Sequence, residues 1–259
     1  LMLQGEEPLA QRQYNYTDFI KDDLQYQQSE QYISDEKYWA SEFEEPASSF
    51  LAPLRKKENK SERHKLVLSR KQYNDIEMLA KSLKVSTFHL ILGILYSYLY
   101  KYYSVDDISV GLPVLNRYKA IFKKTIGLFM GVSPFRIRLD EEDTFGNILL
   151  KIKSQLRTVY RHQRFPIGKL ANKLQLFNEN DRLFHITLSY EKQNYADNFL
   201  NTKCKVTPFS HHAERVALAL YIREFDADEE VEIDFDFNTS YFERDRIVQM
   251  TDHIRQLIK

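Results

Sequence analysis

The chain has 259 residues, of which 43% are hydrophobic and 29% are charged, enough material for one large core or two modest ones. Its 37 basic residues balance its 37 acidic ones, so no overall charge draws it toward nucleic acid or an anionic membrane. The single cysteine, Cys204, excludes an intrachain disulfide, and no residues have the spacing of a zinc site, so we expect a reducing, cytoplasmic setting.

The N-terminal part of the chain is polar and aromatic. Residues 1–11 lack the basic flank and apolar core of a signal peptide, and they do not resemble a natural N-terminus. Between Gln11 and Glu45, tyrosines and Trp39 are spaced among polar residues, which predicts short helices lying across a surface. Residues 46–63 carry two prolines and a mixed charge run that interrupt any hydrophobic period, so we predict a linker there.

A strand, two helices and a second strand are predicted next. Residues 64–69 alternate like a strand. The helix that follows is predicted to have one apolar face, formed by Ile76, Leu79, Ala80 and Leu83. Ser86 is suited to cap an apolar helix that runs to Tyr103 and is shorter than the roughly 20 residues that span a bilayer. Residues 105–112 then predict a strand that ends near Pro113.

The middle of the chain predicts one more strand region and the clearest helix. Residues 127–139 predict a strand pair or a single bent strand. Asp143 and Thr144 are predicted to cap the following helix. The apolar face of that helix comprises Phe145, Ile148, Leu149, Ile152, Leu156 and Val159.

Three strands and a helix close the chain. Residues 185–191, 216–225 and 231–238 predict the strands, and the acidic positions of the last one predict a face in solvent. Because a solvated face explains Asp234 and Asp236, a metal site there is disfavoured. The final helix is predicted to bury Ile247, Met250, Ile254, Leu257 and Ile258. The whole pattern predicts an α/β layer with a mixed sheet.

Several local strings, in this order and at these separations, resemble the later core motifs of condensation domains from nonribosomal peptide synthetases. Tyr16, Asp18 and Phe19 are similar to a YxDFA-type motif, and Tyr38 with Trp39 to the YW pair that follows it. Residues 86–117 resemble the family's long buried helix, acid pair, strand and Gly-x-Pro turn, which ends here in Arg117.

Two further strings resemble motifs of the same family and depart from them at single positions. Residues 126–136 (IGLFMGVSPFR) are similar to IGxFVNTxPxR, with Gly131 where asparagine is usual. Residues 162–170 (HQRFPIGKL) are similar to HQDxPFExL, with Arg164 for aspartate and Gly168 for glutamate. Residues 181–191 and 231–247 resemble the strands, turn and helix that close the family's domain.

The resemblance implies a chloramphenicol-acetyltransferase-like fold of the CoA-dependent acyltransferase superfamily, a two-layer mixed sheet packed with helices. In that architecture two related subdomains form a V around a tunnel. This chain is expected to comprise the tail of the N-terminal subdomain and crossover helices (1–45), the linker (46–63) and the C-terminal subdomain (64–259). The family's HHxxxDG motif belongs upstream, so we expect no catalytic residue in this chain and no activity of the isolated chain.

The resemblance also implies a reaction and a set of partners. The complete enzyme joins an acyl or peptidyl thioester to the amine of an aminoacyl acceptor, both held on 4′-phosphopantetheine arms of donor and acceptor peptidyl carrier proteins. Further expected partners are the other condensation subdomain and an adjacent adenylation domain, in the biosynthesis of a secondary metabolite such as an antibiotic or siderophore. No nucleic acid, membrane, metal or directly bound cofactor is expected.

Alternatives remain within and outside this family. An epimerisation domain is disfavoured because residues 127–136 lack the aromatic GWFT-type variant. Whether the chain belongs to a heterocyclisation domain depends on the upstream motif. A noncatalytic module that docks carrier proteins is kept open by Gly131, Arg164 and Gly168. An upstream sequence without HHxxxDG or a DxxxxD variant would favour that module.

Candidate site residues divide into two groups. Those expected at the substrate cleft are Gly127, Met130, Gly131, Ser133 and Arg136. Those expected to have structural roles are Tyr16, Asp18, Arg117, His162, Gln163 and Pro166.

Specific roles follow from residue chemistry. Glycines 127 and 131 would let backbone approach a pantetheine arm, although glycine in a strand more often marks a bulge. Arg136 is expected to pair with a carboxylate such as Asp18. His162 is expected to cap a helix end. The pair at 211 and 212 is interpreted as a polar loop, because adjacent histidines alone fix no catalytic geometry, and Cys204 as a packed thiol.

Overall fold

Six strands form the main sheet of the protein. The computed structural model describes residues 15–176, 182–193, 195, 198–199 and 202–259, so the prediction about a signal peptide lies outside the described residues. The strands of this sheet and of a small hairpin (β5 and β6) are β1 Ser61–Leu68, β2 Asp107–Val114, β3 Gly131–Arg138, β4 Ile186–Lys192, β5 Asn198–Phe199, β6 Thr202–Lys203, β7 Leu218–Glu224 and β8 Val231–Asn238.

The main sheet is mixed, as predicted. Its order is β1-β8-β7-β4-β2-β3, with β4 parallel to both of its neighbours, β2 and β7, and all other pairs antiparallel. Of the two predictions for residues 127–139, a strand pair or a single bent strand, the structure has a single strand, β3, preceded by an irregular loop. The α/β fold class is therefore confirmed.

The helices begin where the sequence supplies caps. They are α1 Tyr16–Tyr26, α2 Glu30–Glu42, α3 Arg70–Ser82, α4 Thr87–Tyr103, α5 Ala120–Lys124, α6 Phe145–Arg161, α7 Ile167–Lys173 and α8 Arg244–Ile258. Ser86 caps α4 in a reciprocal capping box with His89. Thr144 alone caps α6, because the carboxylate of Asp143 instead accepts from the backbone N–H of Asp140 and pairs with Lys151.

The core lies between one face of the sheet and α3, α4, α6 and α8. α4 is buried along most of its length because it is apolar on nearly every side. No single helix in the described ranges is both long and apolar enough to cross a membrane; α3 and α4 would satisfy length and composition together, but they are bent by 99° to each other.

Three predicted helix faces are wrong at their edges. In α3, Ile76 and Ala80 are buried as predicted, whereas Leu79 and Leu83 are exposed and Tyr73 takes their place in the core. In α8, Leu257 is exposed, because the helix ends one residue later at the surface. In α6, Phe145 at the first turn is partly exposed, while the other five predicted positions are buried.

The predicted linker is shorter than expected and is tied to the sheet. β1 begins at Ser61, so the irregular segment after α2 ends near residue 60. The N–H of Ser48 donates to the carbonyl of Asp107, and the N–H of Leu54 donates to that of Ser240. Leu51 is buried in the core cluster. The segment therefore packs on the fold along its length.

The second face of β8 is buried, which corrects the prediction that it meets solvent. Asp234 and Asp236 are fully buried. Arg63 of β1 binds Asp236 through Nε–Oδ1 (2.6 Å) and Asp234 through Nη1–Oδ2 (2.9 Å). Arg223 of β7 also pairs with Asp234. Buried carboxylates persist here because guanidinium groups on both neighbouring strands compensate their charge.

His185, the residue before β4, makes stability depend on pH. Burial, with nearby Arg182 and Lys57, lowers the pKa of His185 to about 4 from 6.5. The unfolded chain therefore binds a proton between pH 6.5 and about 4 that the folded chain does not, so stability falls as the pH drops through this window.

We expect the unfolding free energy to decrease by about 2 kcal/mol from this residue between pH 7.5 and 4.5. The measurement is urea denaturation of the chain and of His185→Gln at both pH values. The variant should show the smaller pH dependence, because glutamine does not titrate. An equal slope in both proteins would contradict the assignment to His185.

Candidate functional site

An irregular loop between α5 and β3, residues 125–130, is anchored by aromatic packing against α1. Phe129 is buried, and its ring centroid lies 5.2 Å from that of Tyr16, 4.5 Å from that of Phe19 and 5.8 Å from that of Phe122. The guanidinium of Arg117 lies 4.0 Å above the Phe129 ring and donates to the carbonyl of residue 125 at 2.7 Å. The loop is therefore fixed in position.

Gly127 permits this anchoring. Its φ is 158°, and a Cβ at this position would lie 2.2 Å from Cδ2 of Tyr16. The Tyr16 hydroxyl donates to the carbonyl of Leu128 at 2.5 Å, and Arg117 donates to that of Gly127 at 3.2 Å. The group that approaches the glycine backbone is thus the tyrosine ring, and two predicted structural residues meet a predicted cleft residue here.

The outer side of the loop exposes a cluster of large apolar side chains, which we call the loop patch. Its members are Leu115 (69% exposed), Ile126 (73%), Leu128 (75%) and Met130 (56%). Gly131 follows at the start of β3, half-buried, and a Cβ there would lie 3.2 Å from Nδ2 of Asn116. Contiguous exposed apolar surface commonly marks a site that contacts another protein or a ligand.

Arg136 of β3 is buried, and its guanidinium is bound by other groups of the chain. It binds Asp107 of β2 in bidentate fashion, with Nε–Oδ1 at 2.7 Å. Its Nη1 donates to the carbonyl oxygens of Glu42 (2.5 Å) and Glu45 (2.8 Å). The hydrogen bond to Asp107 raises the pKa of Arg136. The predicted pairing with a carboxylate is confirmed, but the partner is Asp107 rather than Asp18.

Two other predicted residues have separate places. Asp18 lies in the first turn of α1, where a carboxylate is favoured by the helix dipole. Ser133 is buried within β3.

His162 joins the end of α6 to α2 through a buried carboxylate. Its Nδ1 lies 2.7 Å from Oδ1 of Asp35, which also accepts from Gln31 (2.6 Å), while Oδ2 accepts from the Tyr26 hydroxyl (2.6 Å). The Tyr38 ring stacks on the imidazole at 4.2 Å. His162 is also the C-cap residue of α6.

The rest of the 162–170 motif is local scaffold. The side chain of Gln163 donates to the carbonyl of Tyr160 at 2.8 Å, and Pro166 is the N-cap residue of α7. Arg164 stands between the rings of Tyr26 (4.0 Å) and Tyr118 (4.2 Å) and binds Asp22 at 2.9 Å.

Sequence reasoning missed two of these roles. The i,i+4 spacing of Gln31 and Asp35 was an available signal for the buried carboxylate. Nothing in the sequence separates Asp22, the partner of Arg164, from its acidic neighbour Asp23.

The histidine pair and the cysteine are remote from these contacts. His211 and His212 lie in an irregular segment before β7, and Nε2 of His211 is 3.0 Å from a carboxylate oxygen of Glu214. Their interpretation as a polar loop is confirmed. Cys204 is exposed, so the prediction of a packed thiol is wrong; it follows the short hairpin strand β6, outside the core.

The comparisons with known proteins agree on one family. The condensation domain model matches residues 1–259. Tyrocidine synthase 3 of Brevibacillus parabrevis is 24% identical over 98% of this chain, and the dimodular nonribosomal peptide synthase of Bacillus subtilis (strain 168) is 22% identical over 71%. The matched regions span only 4% and 8% of the lengths of these two relatives.

Solved structures agree in fold. The first condensation domain of the CDA synthetase matches with a TM-score of 0.85 at 15% identity, covering 99% of this chain and 58% of that one. The condensation domain from monacolin K polyketide synthase MokA matches with a TM-score of 0.81 at 18% identity, covering 99% and 64%. The chain belongs to the condensation domain family.

Removing the guanidinium of Arg136 should destabilise the fold. In Arg136→Met the carboxylate of Asp107 loses its bidentate partner, so we expect a loss of about 3 kcal/mol in unfolding free energy. The matched control is Arg138→Met on the same strand, whose side chain is 58% exposed and should cost less than about 1 kcal/mol. Chemical denaturation measures both, and equal losses would contradict a special role for Arg136.

A methyl group at Gly127 should displace α1 from the loop. Because Gly127→Ala places its Cβ inside the Tyr16 ring, we expect a loss of about 1–3 kcal/mol and a change in the tyrosine near-UV signal. Gly168→Ala is the control, because a Cβ there meets no atom within 4 Å. A Gly127→Ala protein as stable as the control would show that the tyrosine is not seated on the glycine.

Proposed function

We propose that this chain forms the C-terminal wall of a nonribosomal peptide synthetase condensation domain. The observation that carries the proposal is the family match over all 259 residues together with a fold that aligns with condensation domain structures. The names of relatives, tyrocidine synthase 3 and the dimodular nonribosomal peptide synthase, support a parent enzyme that assembles peptides. We propose that this parent enzyme acts in the cytoplasm.

The proposed reaction is acyl transfer between two carrier proteins. The amine of the acceptor aminoacyl group attacks the carbonyl carbon of the donor thioester, the C–N bond forms, the C–S bond breaks, and the pantetheine thiol leaves with the proton of the amine. An adenylation domain beside the condensation domain would supply the activated acceptor.

The loop patch supports the role of a wall. Three of its side chains are exposed on a loop that is fixed from beneath by Phe129, Tyr16 and Arg117, and the fourth, Leu115, follows β2. Exposure of apolar groups to water is unfavourable, and covering them with another surface lowers the free energy. We assign the patch to contact with the other condensation subdomain. The two carrier arms would meet between the two subdomains.

Catalysis is proposed to require residues outside these 259. The HHxxxDG motif of the family does not occur in the chain, and the histidine pair at 211 and 212 is followed by AERVA. The motif residues of the described loop, strand and helix ends contact other residues of the chain, and none of them is proposed to contact a reacting group. The chain would form one wall of the site. The partner subdomain would provide the group that assists attack by the amine.

Loaded donor and acceptor carrier proteins test the proposal directly. Mixed with the 259-residue chain alone, they should yield no amide product above background in a mass-spectrometric assay. The complete parent protein should yield product under the same conditions. Amide formation by the chain alone would contradict the division of roles, and failure of a parent that lacks HHxxxDG or DxxxxD would favour the docking module.

A charge in the loop patch should separate assembly from folding. In the complete parent protein, Leu128→Asp should lower amide formation at least tenfold, because it places a carboxylate in an apolar contact. The control is Leu150→Asp on α6, a comparably exposed leucine (64%) outside the patch. Both variants should keep the parent's melting temperature, and equal activities would show that the patch is not at a working interface.

A further inference from the structure

A cavity of about 480 Å³ lies beside the start of β2 and β4, away from the loop patch and its anchors. Its walls are supplied by the segment after α2 (residues 43–50), by Ser109 of β2, by residues 174–176 after α7 and by residues 182–185 before β4. This volume is within the range of small-molecule sites, which runs from roughly 300 to 1,000 Å³.

Two buried polar atoms line this cavity without a hydrogen-bond partner in the described part of the chain. They are Oγ of Ser109 and Nδ1 of His185, in residues that are only 5% and 7% exposed. Buried polar atoms are nearly always paired, so two in one cavity indicate a site with a polar partner.

The sheet register makes these two residues neighbours. β2 and β4 are parallel, and Val110 pairs with Ile186. Ser109 and His185 immediately precede these paired residues, so they lie at the same level of the two neighbouring segments, and both line the cavity. A hydroxyl and an imidazole nitrogen are thereby offered together to one small group.

Much of the remaining wall is apolar, and the two charged side chains that also line it, Glu44 and Arg182, have opposite signs. Phe43, Phe50 and Phe184 contribute rings, and Leu174 and Leu183 contribute aliphatic surface. The Phe184 ring packs directly on Gly111, where a Cβ would lie 2.5 Å from the ring, so the ring cannot move closer to β2.

The polar pair is uncharged at neutral pH. Burial lowers the pKa of His185 to about 4, so one ring nitrogen accepts a hydrogen bond. A charged ligand would lose its hydration here without an opposite charge on either residue of the pair.

We propose that this cavity binds an uncharged carboxamide with an apolar, preferably aromatic, body. The amide N–H donates to Nδ1 of His185, the amide carbonyl accepts from the Ser109 hydroxyl, and the body packs against the three phenylalanine rings. A carboxamide satisfies both atoms at once, because its donor nitrogen and its acceptor oxygen are bonded to the same carbon. This site is independent of the proposed acyl transfer.

Phenylacetamide is a suitable probe, with phenylacetate as its anionic isostere. Titrated into the isotopically labelled 259-residue chain, phenylacetamide should cause saturable NMR shifts at Gly111, Phe184 and His185, with a Kd on the order of 1 mM. Phenylacetate should bind at least tenfold more weakly. Shifts that do not saturate, that lie elsewhere, or that phenylacetate reproduces equally would overturn the proposal.

Serine variants separate ligand recognition from a merely buried hydroxyl. Ser109→Ala should weaken phenylacetamide at least tenfold, whereas Ser133→Ala, a buried serine that does not line the cavity, should bind as the unmodified chain does. His185→Leu should also lose affinity, which provides a second test if Ser109→Ala folds poorly. Unchanged affinity in folded Ser109→Ala and His185→Leu proteins would refute the site.

Discussion

The pair between the Arg136 guanidinium and the Asp107 carboxylate is the contact on which the position of the candidate site depends. Three nitrogens of one side chain bind the neighbouring strand and the carbonyl groups where α2 ends. α2 carries Asp35, which binds Tyr26 of α1, and α1 in turn carries the ring that seats Gly127. A single buried charge therefore connects the sheet, by successive contacts, to the loop patch.

This scaffold uses buried charge more than apolar contact on the second face of the sheet. Arg63 and Arg223 compensate Asp234 and Asp236 there, and Arg136 compensates Asp107 at the other edge. Such pairs add little net stability compared with apolar residues of the same size, but losing one partner is costly. They consequently fix one arrangement of strands and segments, which suits a surface that has to present side chains at defined positions.

The sequence predicted the elements whose burial follows a simple period. α6 and β8 follow from apolar residues that recur at 3.6 or at 2, α4 follows from a long apolar run, and Ser86 and Thr144 act as caps through local hydrogen bonds. Alternation does not reveal what covers the other face of a strand, so Asp234 and Asp236 were placed in solvent although arginines of adjacent strands bury them. The partner of Arg136 was missed for the same reason: Asp107 comes within reach, diagonally across the strands, only once β2 and β3 pair.

The candidate residues divide in a way that motif resemblance alone did not reveal. Gly127 and Arg136 were expected at a cleft, yet both are occupied by intramolecular contacts, whereas exposure is concentrated in Met130 and its apolar neighbours. A motif can thus persist because its residues hold a surface, while the residues between them contact the partner. Ser109 and His185 belong to two separate family strings, and only the register of two parallel strands brings their polar atoms to one cavity. Its chemistry is therefore a property of the folded sheet and not of a local sequence pattern.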